Sequence, residues 1–505
     1  MRAAWWLPLI VLAGCDNQTY TIVTVEGRPA VHGIVKLTIT LSNADSTESN
    51  TVDFGKHTLP ATFSVAAPGR TGDLGIHVEA TDADDNLAAL GDTTTPIDAP
   101  TASLTLEPAD FVVNTDVADD QLLSNYSNAH GFQLSSTADG TWTAVYNVNC
   151  SAACDLFARR FGTDGLPVDT AVSASPNSFP ITTRQTTFFT TPAVASTGMF
   201  TVAVWNFDEP PPATAAKGIS CRTLDAAGNA NADQVDVSTD EFPDLISVQP
   251  MSNSNFIAAW DGRVGGVDKV RASIIGPDCV PIASVNGTVF DAASTVGTDT
   301  PHLSAVATSG DRIMFTWIVN GSVKARVATN SGMFLTGDLP IANASPTEQI
   351  DHVRVSQFGD GFAIAVRWGL INFGPGAGRI EIYRTDSGGA LQGPPLLVTD
   401  RSSSEFVDRE AFGIAGGASG PVLVVWHACG DLGDGADCGV FGRFMTPTGP
   451  AANEFVLATA TQNAQTGPSA TRLPDGSFAT AWTDRSDVAP DKSGAAVRAR
   501  IVYPP

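Results

Sequence analysis

Three sets of residues in this 505-residue sequence have types and spacings that could do chemistry. The first is DLGDGAD, in which Asp431, Asp434 and Asp437 recur every third residue between Cys429 and Cys438. A disulfide across those cysteines would pin the loop and lower the entropy cost of gathering three carboxylates around a hard cation, so calcium is the ligand expected there. The second set is His130, Asp244, His302, His352 and Glu410, which fall near the starts of equivalent strands in a repeated unit. Imidazoles and carboxylates around one channel mouth could hold a transition metal or exchange protons with a substrate. The third set is the cysteines. With Cys15 set apart, six remain, an even number that suits disulfides. Cys150 is near Cys154 in the chain and Cys429 near Cys438, which leaves Cys221 and Cys279 for each other. No Gly-rich phosphate loop, HExxH or GxSxG elbow with plausible partners is present.

A repeat must position these residues. The strings TWTAVY, TVAVW, FIAAW, IMFTW, AIAVRW, VLVVW and FATAW end at Tyr146, Trp205, Trp260, Trp317, Trp368, Trp426 and Trp482, at intervals of 51 to 59 residues. Each is apolar at nearly every position, as expected of a strand covered on both faces. A strand such as HLSAVAT or PSATRL and a turn such as ADG, GDG or PDG come before it. A variable loop and a strand such as LFARRF, VKARVA or VRARIV come after it, and in most copies a fourth strand follows. Four strands per unit and seven units predict a seven-bladed β-propeller, in which small sheets pack face to face around an axis. The last unit stops after its third strand. The fourth strand of the sixth unit is EFVLATA, and the other copy of that type, DFVVNTD at Asp110 to Asp116, precedes the first unit. Residues 110–116 are therefore expected to complete the seventh blade, closing the ring and removing an exposed sheet edge. The loops after the second strands, such as NFDEPPPATAAKG, HACGDLGDGAD and TDRSDVAPDKSG, vary most in length and should crowd one rim, the expected binding face.

Ahead of the repeats, YTIVTV, IVKLTITLS, NTVDF, ATFSVAA, GIHVEAT and ASLTLEP alternate apolar and polar residues between turn signals. Residues 20–108 so read resemble an immunoglobulin-like or fibronectin-like β-sandwich. The start, MRAAWWLPLIVLAGC, has one positive charge and an apolar run too short to span a bilayer as a permanent helix. Its Leu12-Ala13-Gly14-Cys15 resembles the lipobox of bacterial lipoproteins. That resemblance implies a signal peptide over 1–14, a lipid on Cys15, a tether over 15–19 and membrane attachment through the acyl chains.

The formal charge of −25 repels nucleic-acid phosphates and anionic lipid, and basic residues are nowhere clustered, which excludes a nucleic-acid partner. As a whole the chain resembles bacterial envelope lipoproteins with an immunoglobulin-like module followed by a propeller over 110–505. The resemblance implies a lipid-anchored protein at the outer membrane, on its periplasmic or outer face, binding a protein or glycan. The turns TADGTW, FGDGFA and LPDGSF do not match the Asp box of sialidase-like propellers, and none of the five tyrosines is followed by an evident acid partner. The function expected is therefore a binding scaffold without catalysis. Its rivals are a carbohydrate-active hydrolase or lyase using the channel-mouth residues, and a purely structural envelope or matrix component.

Overall fold

The computed structural model describes residues 20–44, 46–68, 70–115, 121–122, 133–148, 155–168, 178–183, 192–208, 217–239, 243, 245–293, 302–370, 378–401, 412–429, 437–488 and 494–505. Among them all regular structure is β, and the chain divides between Asp110 and Phe111 into two compact units.

The N-terminal unit is one hydrogen-bonded path of seven strands: Ser46–Asp53, Lys36–Asn43, Asp73–Thr81, Leu87–Pro96, Thr101–Pro108, Tyr20–Gly27 and Ala61–Ala66. All neighbours are antiparallel except Thr101–Pro108 and Tyr20–Gly27, which run parallel. Period-two alternation turns Val23, Val25, Leu37, Ile76, Val78, Leu104 and Leu106 into a common core. The strand Leu87–Pro96 is an addition to the six expected, because LAALGDTTTP lacks a clear alternation. Before it, the Asp82 carboxylate accepts the backbone N–H groups of Asp84 and Asn86, which folds the tip of the hairpin.

The second unit is a seven-bladed propeller. Each blade has up to four main strands, called a to d outward from the axis, and the seven a strands touch in sequence. These are Leu134–Ser136, Ala193–Ser196, Ile246–Pro250, His302–Ser309, Glu348–Phe358, Phe412–Ala415 and Gln465–Arg472, and the last returns to the first. The b strands carry the repeated aromatic, and each tryptophan packs on the blade before it. Trp205 sits in a core with Val145 and Leu156 of blade 1, Trp317 with Ile257 and Ala259 of blade 3, and Trp482 with Leu423 and Val425 of blade 6. This common placement explains why one residue type recurs: every seam needs the same large plug, and burying an aromatic there removes 150–250 Å² from water.

Two smaller regularities also follow from the repeat. The aspartates of the ADG and PDG turns accept the backbone N–H two residues on, as in Asp139 to Thr141 and Asp475 to Ser477, and Asp225 of the DAAG turn after strand c of blade 2 does the same for Ala227, so they shape turns. In four seams an arginine of strand c reaches back to a carbonyl of the preceding blade's outer segment. The pairs are Arg159 to Val113 (2.6 Å), Arg222 to Ile181 (2.9 Å), Arg443 to Val398 (2.5 Å) and Arg500 to Leu457 (3.1 Å).

The ring closes through the N-terminal segment. Phe111–Val112 pairs antiparallel with Ala496–Val502 as the fourth strand of blade 7, in register Val112 to Arg498 and Phe111 to Ala499. Val113 N–H donates to the Val497 carbonyl, and Val497 N–H to the Asn114 side chain. DFVVNTD and EFVLATA match to the atom: Val113 and Leu457 hold the same place in the two strings, and each accepts a c-strand arginine from the next blade.

Candidate functional site

The residues singled out from the sequence fare unequally. Cys15, His130, Cys150, Cys154, Asp244, Glu410, Asp431 and Asp434 lie outside the described residues. Cys429 and Cys438 are joined, their Cα atoms 3.9 Å apart on directly opposed positions of the b and c strands of blade 6, with Asp437 beside them. Cys221 and Cys279 are joined across the seam of blades 2 and 3, on strand c of one and the turn after strand c of the other. No group of three or more His, Cys, Asp or Glu placed to hold a metal occurs among the described residues. His302 opens strand a of blade 4 opposite Ile318, and His352 lies in strand a of blade 5 opposite Arg367. Propeller sheets stand radially, so a-strand side chains alternate between the two flanking blades, as Ala305 and Val306 do.

A cluster absent from the sequence reading lies on the face of blade 5 turned toward blade 4. Glu348 begins strand a, and Arg379, Glu381 and Tyr383 occupy alternate positions of strand c, Gly378–Thr385, so all three project to one side. The Arg379 guanidinium donates from Nη1 to Glu348 and from Nε to Glu381 Oε1 at 2.9 Å, and its carbon stands 4.6 Å from the Trp368 ring centroid. The Tyr383 hydroxyl donates to Glu381 Oε2 at 3.2 Å, and Ser345 to Glu348 Oε2 at 2.9 Å. The ion pairs are open to solvent, with Arg379, Glu348 and Glu381 side chains 28%, 20% and 16% exposed.

The electrostatics follow from these contacts. The Arg379 hydrogen bond, helped by Ser345, holds the Glu348 carboxyl below the usual range. Burial works against the Arg379 charge, but its two carboxylates outweigh it and raise its pKa. Burial and the Glu381 charge push the Tyr383 phenol above its ordinary value, so it stays neutral. The signal that could have revealed this cluster is R-I-E-I-Y, polar at every second position of one strand. The acid partner of Tyr383 precedes the tyrosine rather than following it.

Two other features stand apart. On the opposite face of blade 5, Arg354 is fully buried 5.4 Å from the Phe412 ring centroid, and burial pushes it down to about 9, still a cation at neutral pH. Between blades 2 and 3, beside the Cys221–Cys279 bridge, a cavity of ≈ 220 Å³ is lined by Phe200, Arg222, Asp233 and Val235 among others. That is below the roughly 300–1,000 Å³ of ligand pockets.

No family model matches the sequence, and no curated protein does. Solved structures similar to it include a leech intramolecular trans-sialidase, at 7% identity over 96% of this chain and 94% of that one with a TM-score of 0.40. A subtype N10 neuraminidase-like protein of A/little yellow-shouldered bat/Guatemala matches at 10% identity over 61% of this chain and 93% of its own, TM-score 0.36. An α-L-arabinofuranosidase from Fusarium graminearum matches at 10% identity over 60% and 89%, TM-score 0.36. The expectation of a scaffold without catalysis finds no support among the similar structures, whose names are those of sialidase-like and arabinofuranosidase proteins and, in equal number, of prolyl endopeptidases and oligopeptidases. At such identities the likeness extends to the propeller fold alone, and no substrate or residue role is taken from it.

Proposed function

We propose that this chain is a carbohydrate-active hydrolase whose site is the Glu348, Arg379, Glu381, Tyr383 cluster on blade 5. The observation that carries the reading is two solvent-reachable carboxylates gathered on one guanidinium beside a tyrosine and a tryptophan. Glycoside hydrolysis uses a pair of carboxyl groups, one giving a proton to the leaving oxygen and the other acting as nucleophile or base. Glu348, kept ionised by Arg379, suits the second role. Glu381 is the partner carboxyl; its two oxygens accept from Arg379 and from the Tyr383 hydroxyl, so it serves as the acid only after taking up a proton from solvent as the Arg379 bond is released. The test is reducing-sugar release from a panel of envelope and extracellular polysaccharides. Glu348→Gln and Glu381→Gln should each lower the rate by ~10²–10⁴-fold, while the loss of one ion pair to Arg379 lowers the melting temperature only slightly. Full activity in both variants, or none in the unaltered chain, would remove the reading.

The N-terminal unit we take as an immunoglobulin-like sandwich. In support, the sheet path is joined between Leu87–Pro96 and Thr101–Pro108 by two residue pairs only, Ala89 with Pro108 and Leu90 with Glu107, a seam at which it could fold over its core. Lipid on Cys15, with placement in the bacterial envelope, rests on the LAGC sequence and is tested by mass spectrometry of the mature N-terminus. Calcium at Asp431, Asp434 and Asp437 is supported by the Cys429–Cys438 bridge that closes their loop. A melting temperature unmoved by calcium or by a chelator would count against it.

A further inference from the structure

A strand at the edge of a sheet carries a row of backbone N–H and C=O groups that its own sheet does not satisfy. Along the outer rim of the propeller these rows are short or interrupted. The outermost strands of blades 1, 3, 6 and 7 pair over two residues at a time, as in Phe179–Pro180, Pro281–Ile282, Phe455–Val456 and Phe111–Val112. Those of blades 2, 4 and 5, Ala230–Thr239, Leu339–Asn343 and Leu396–Arg401, are longer, but each breaks register with its neighbour. Both devices keep a foreign strand from adding to the sheet. In the N-terminal unit the two edges differ. Ala61–Ala66 has six residues and lies between Pro60 and Pro68. Ser46–Asp53 has eight and keeps an unbroken register, from Asn43 opposite Ser46 to Lys36 opposite Asp53. It contains no proline, lysine or arginine, and Thr47 to Thr51 and Asp53 are exposed. Among the described residues it is the one long outer edge with neither a break nor a flanking proline.

Which residues face outward follows from the ladder. In an antiparallel pair, residues that exchange backbone hydrogen bonds alternate with residues that do not. Just past the strand, Phe54 N–H donates to the Val35 carbonyl at 2.7 Å. Counting back from it, Val52, Asn50, Glu48 and Ser46 turn their backbone groups toward Lys36–Asn43, and Thr47, Ser49, Thr51 and Asp53 turn theirs away from the sheet. The side chains agree. Thr40 and Ser49 hydroxyls meet at 2.7 Å and Thr38 and Thr51 hydroxyls at 3.1 Å, the close approach of opposed residues that exchange no backbone bonds.

We propose that Ser46–Asp53 is a self-association edge, to which a second copy of this chain adds its own Ser46–Asp53 strand, antiparallel and centred on Asn50. Only a register that sets outward residue against outward residue completes both edges. The one centred on Asn50 uses all four, Thr47 with Asp53 and Ser49 with Thr51 in each direction. It also sets Glu48 against Val52. Glu48 and Asp53 lie on opposite faces of the strand, so no two carboxylates become neighbours on one face, where like charges would repel. The formal charge of −25 on each copy opposes their approach over longer distances, so the pair should tighten as salt screens it. A basic strand from another protein would bind the same edge with the opposite salt dependence. The proposal does not depend on the glutamate cluster of blade 5.

The test is sedimentation equilibrium of the full chain at rising salt. The expected result is the mass of a pair, falling to that of one chain in Thr51→Pro, because proline there removes an outward N–H and leaves the ladder to Lys36–Asn43 whole. Thr51→Val keeps that N–H and should stay paired. Cross-linking reads the register. Asn50→Cys would oppose two thiols across the two-fold axis with Cα atoms about 4.5 Å apart, within the span of a disulfide, and should give a covalent dimer on a non-reducing gel. Thr47→Cys, facing Asp53 of the other copy, should not. A single-chain mass at every concentration and salt, a pair that survives Thr51→Pro, or a cross-link at Thr47→Cys in place of Asn50→Cys would each overturn the proposal. None of these readouts involves hydrolysis, so this proposal and the glycosidase reading fail separately.

Discussion

Individual side chains in this protein titrate according to what they face. His77, on Asp73–Thr81, places Nδ1 2.7 Å from Asp92 and Nε2 3.4 Å from Glu79. Burial tends to lower its pKa, but hydrogen bonds to the two carboxylates and their charges carry it above the ordinary 6.5. A raised folded pKa means the proton is held more tightly in the folded state. The stability His77 contributes is thus complete below the unfolded value and is lost as pH rises through the folded one. An NMR titration of His77 should give a midpoint above 6.5, and Asp92→Asn should bring it down; a midpoint at or below 6.5 would contradict the contact. Glu348 runs the other way, its lowered pKa giving stability that is present above the unfolded value and lost in acid. Such contacts were hard to foresee. His77 meets Asp92 only because Asp73–Thr81 and Leu87–Pro96 pair in one register, and Glu348 meets Arg379 across an intervening strand. Polar alternation was on view in RIEIY, but its partner from strand a was not.

Strands were easier to read, because their signal is repeated. The b strands buried on both faces announce themselves seven times, and DFVVNTD was identifiable as a closing strand since EFVLATA gave it a template. Its hydrogen-bonded part is shorter than the similarity, two residues rather than seven, and the backbone and side-chain bonds of Val113 and Asn114 supply the rest. Deleting residues 110–116 should leave the edge of Ala496–Val502 unpaired and lower the melting temperature sharply, and an unchanged melt would refute closure. Arg159→Met is a finer probe. It removes one charge-assisted bond to the closing strand, at a cost of about 1.5–3 kcal/mol, which urea unfolding of the propeller should register. The c-strand arginines were present in LFARRF and VRARIV as a repeated letter, but their reach to the preceding blade depends on how sheets stack and is not a property of one repeat.

For the whole molecule, seams matter more than blades, and they are fastened in different ways. At blades 2 and 3 the Cys221–Cys279 bridge spans the seam, and Arg271 of strand c pairs with Asp291 of its own blade. Closing a chain separation of 58 residues constrains the unfolded state by about 4 kcal/mol in the chain-entropy model. The double variant Cys221→Ala, Cys279→Ala should therefore melt well below the parent, while Cys429→Ala, Cys438→Ala, with a separation of 9, should lose less. Equal losses would mean that the inter-blade bridge adds nothing beyond a local clip. The ring's other fastening has a consequence in time. Asn114 and Val497, which bond each other at closure, are 383 residues apart. At roughly 5–20 residues per second of synthesis, the first partner is made about 20–80 s before the second. For that interval the closing strand has no blade to join, so the propeller is completed only as its final strand is delivered, and a chain interrupted anywhere before Val497 is left an open arc.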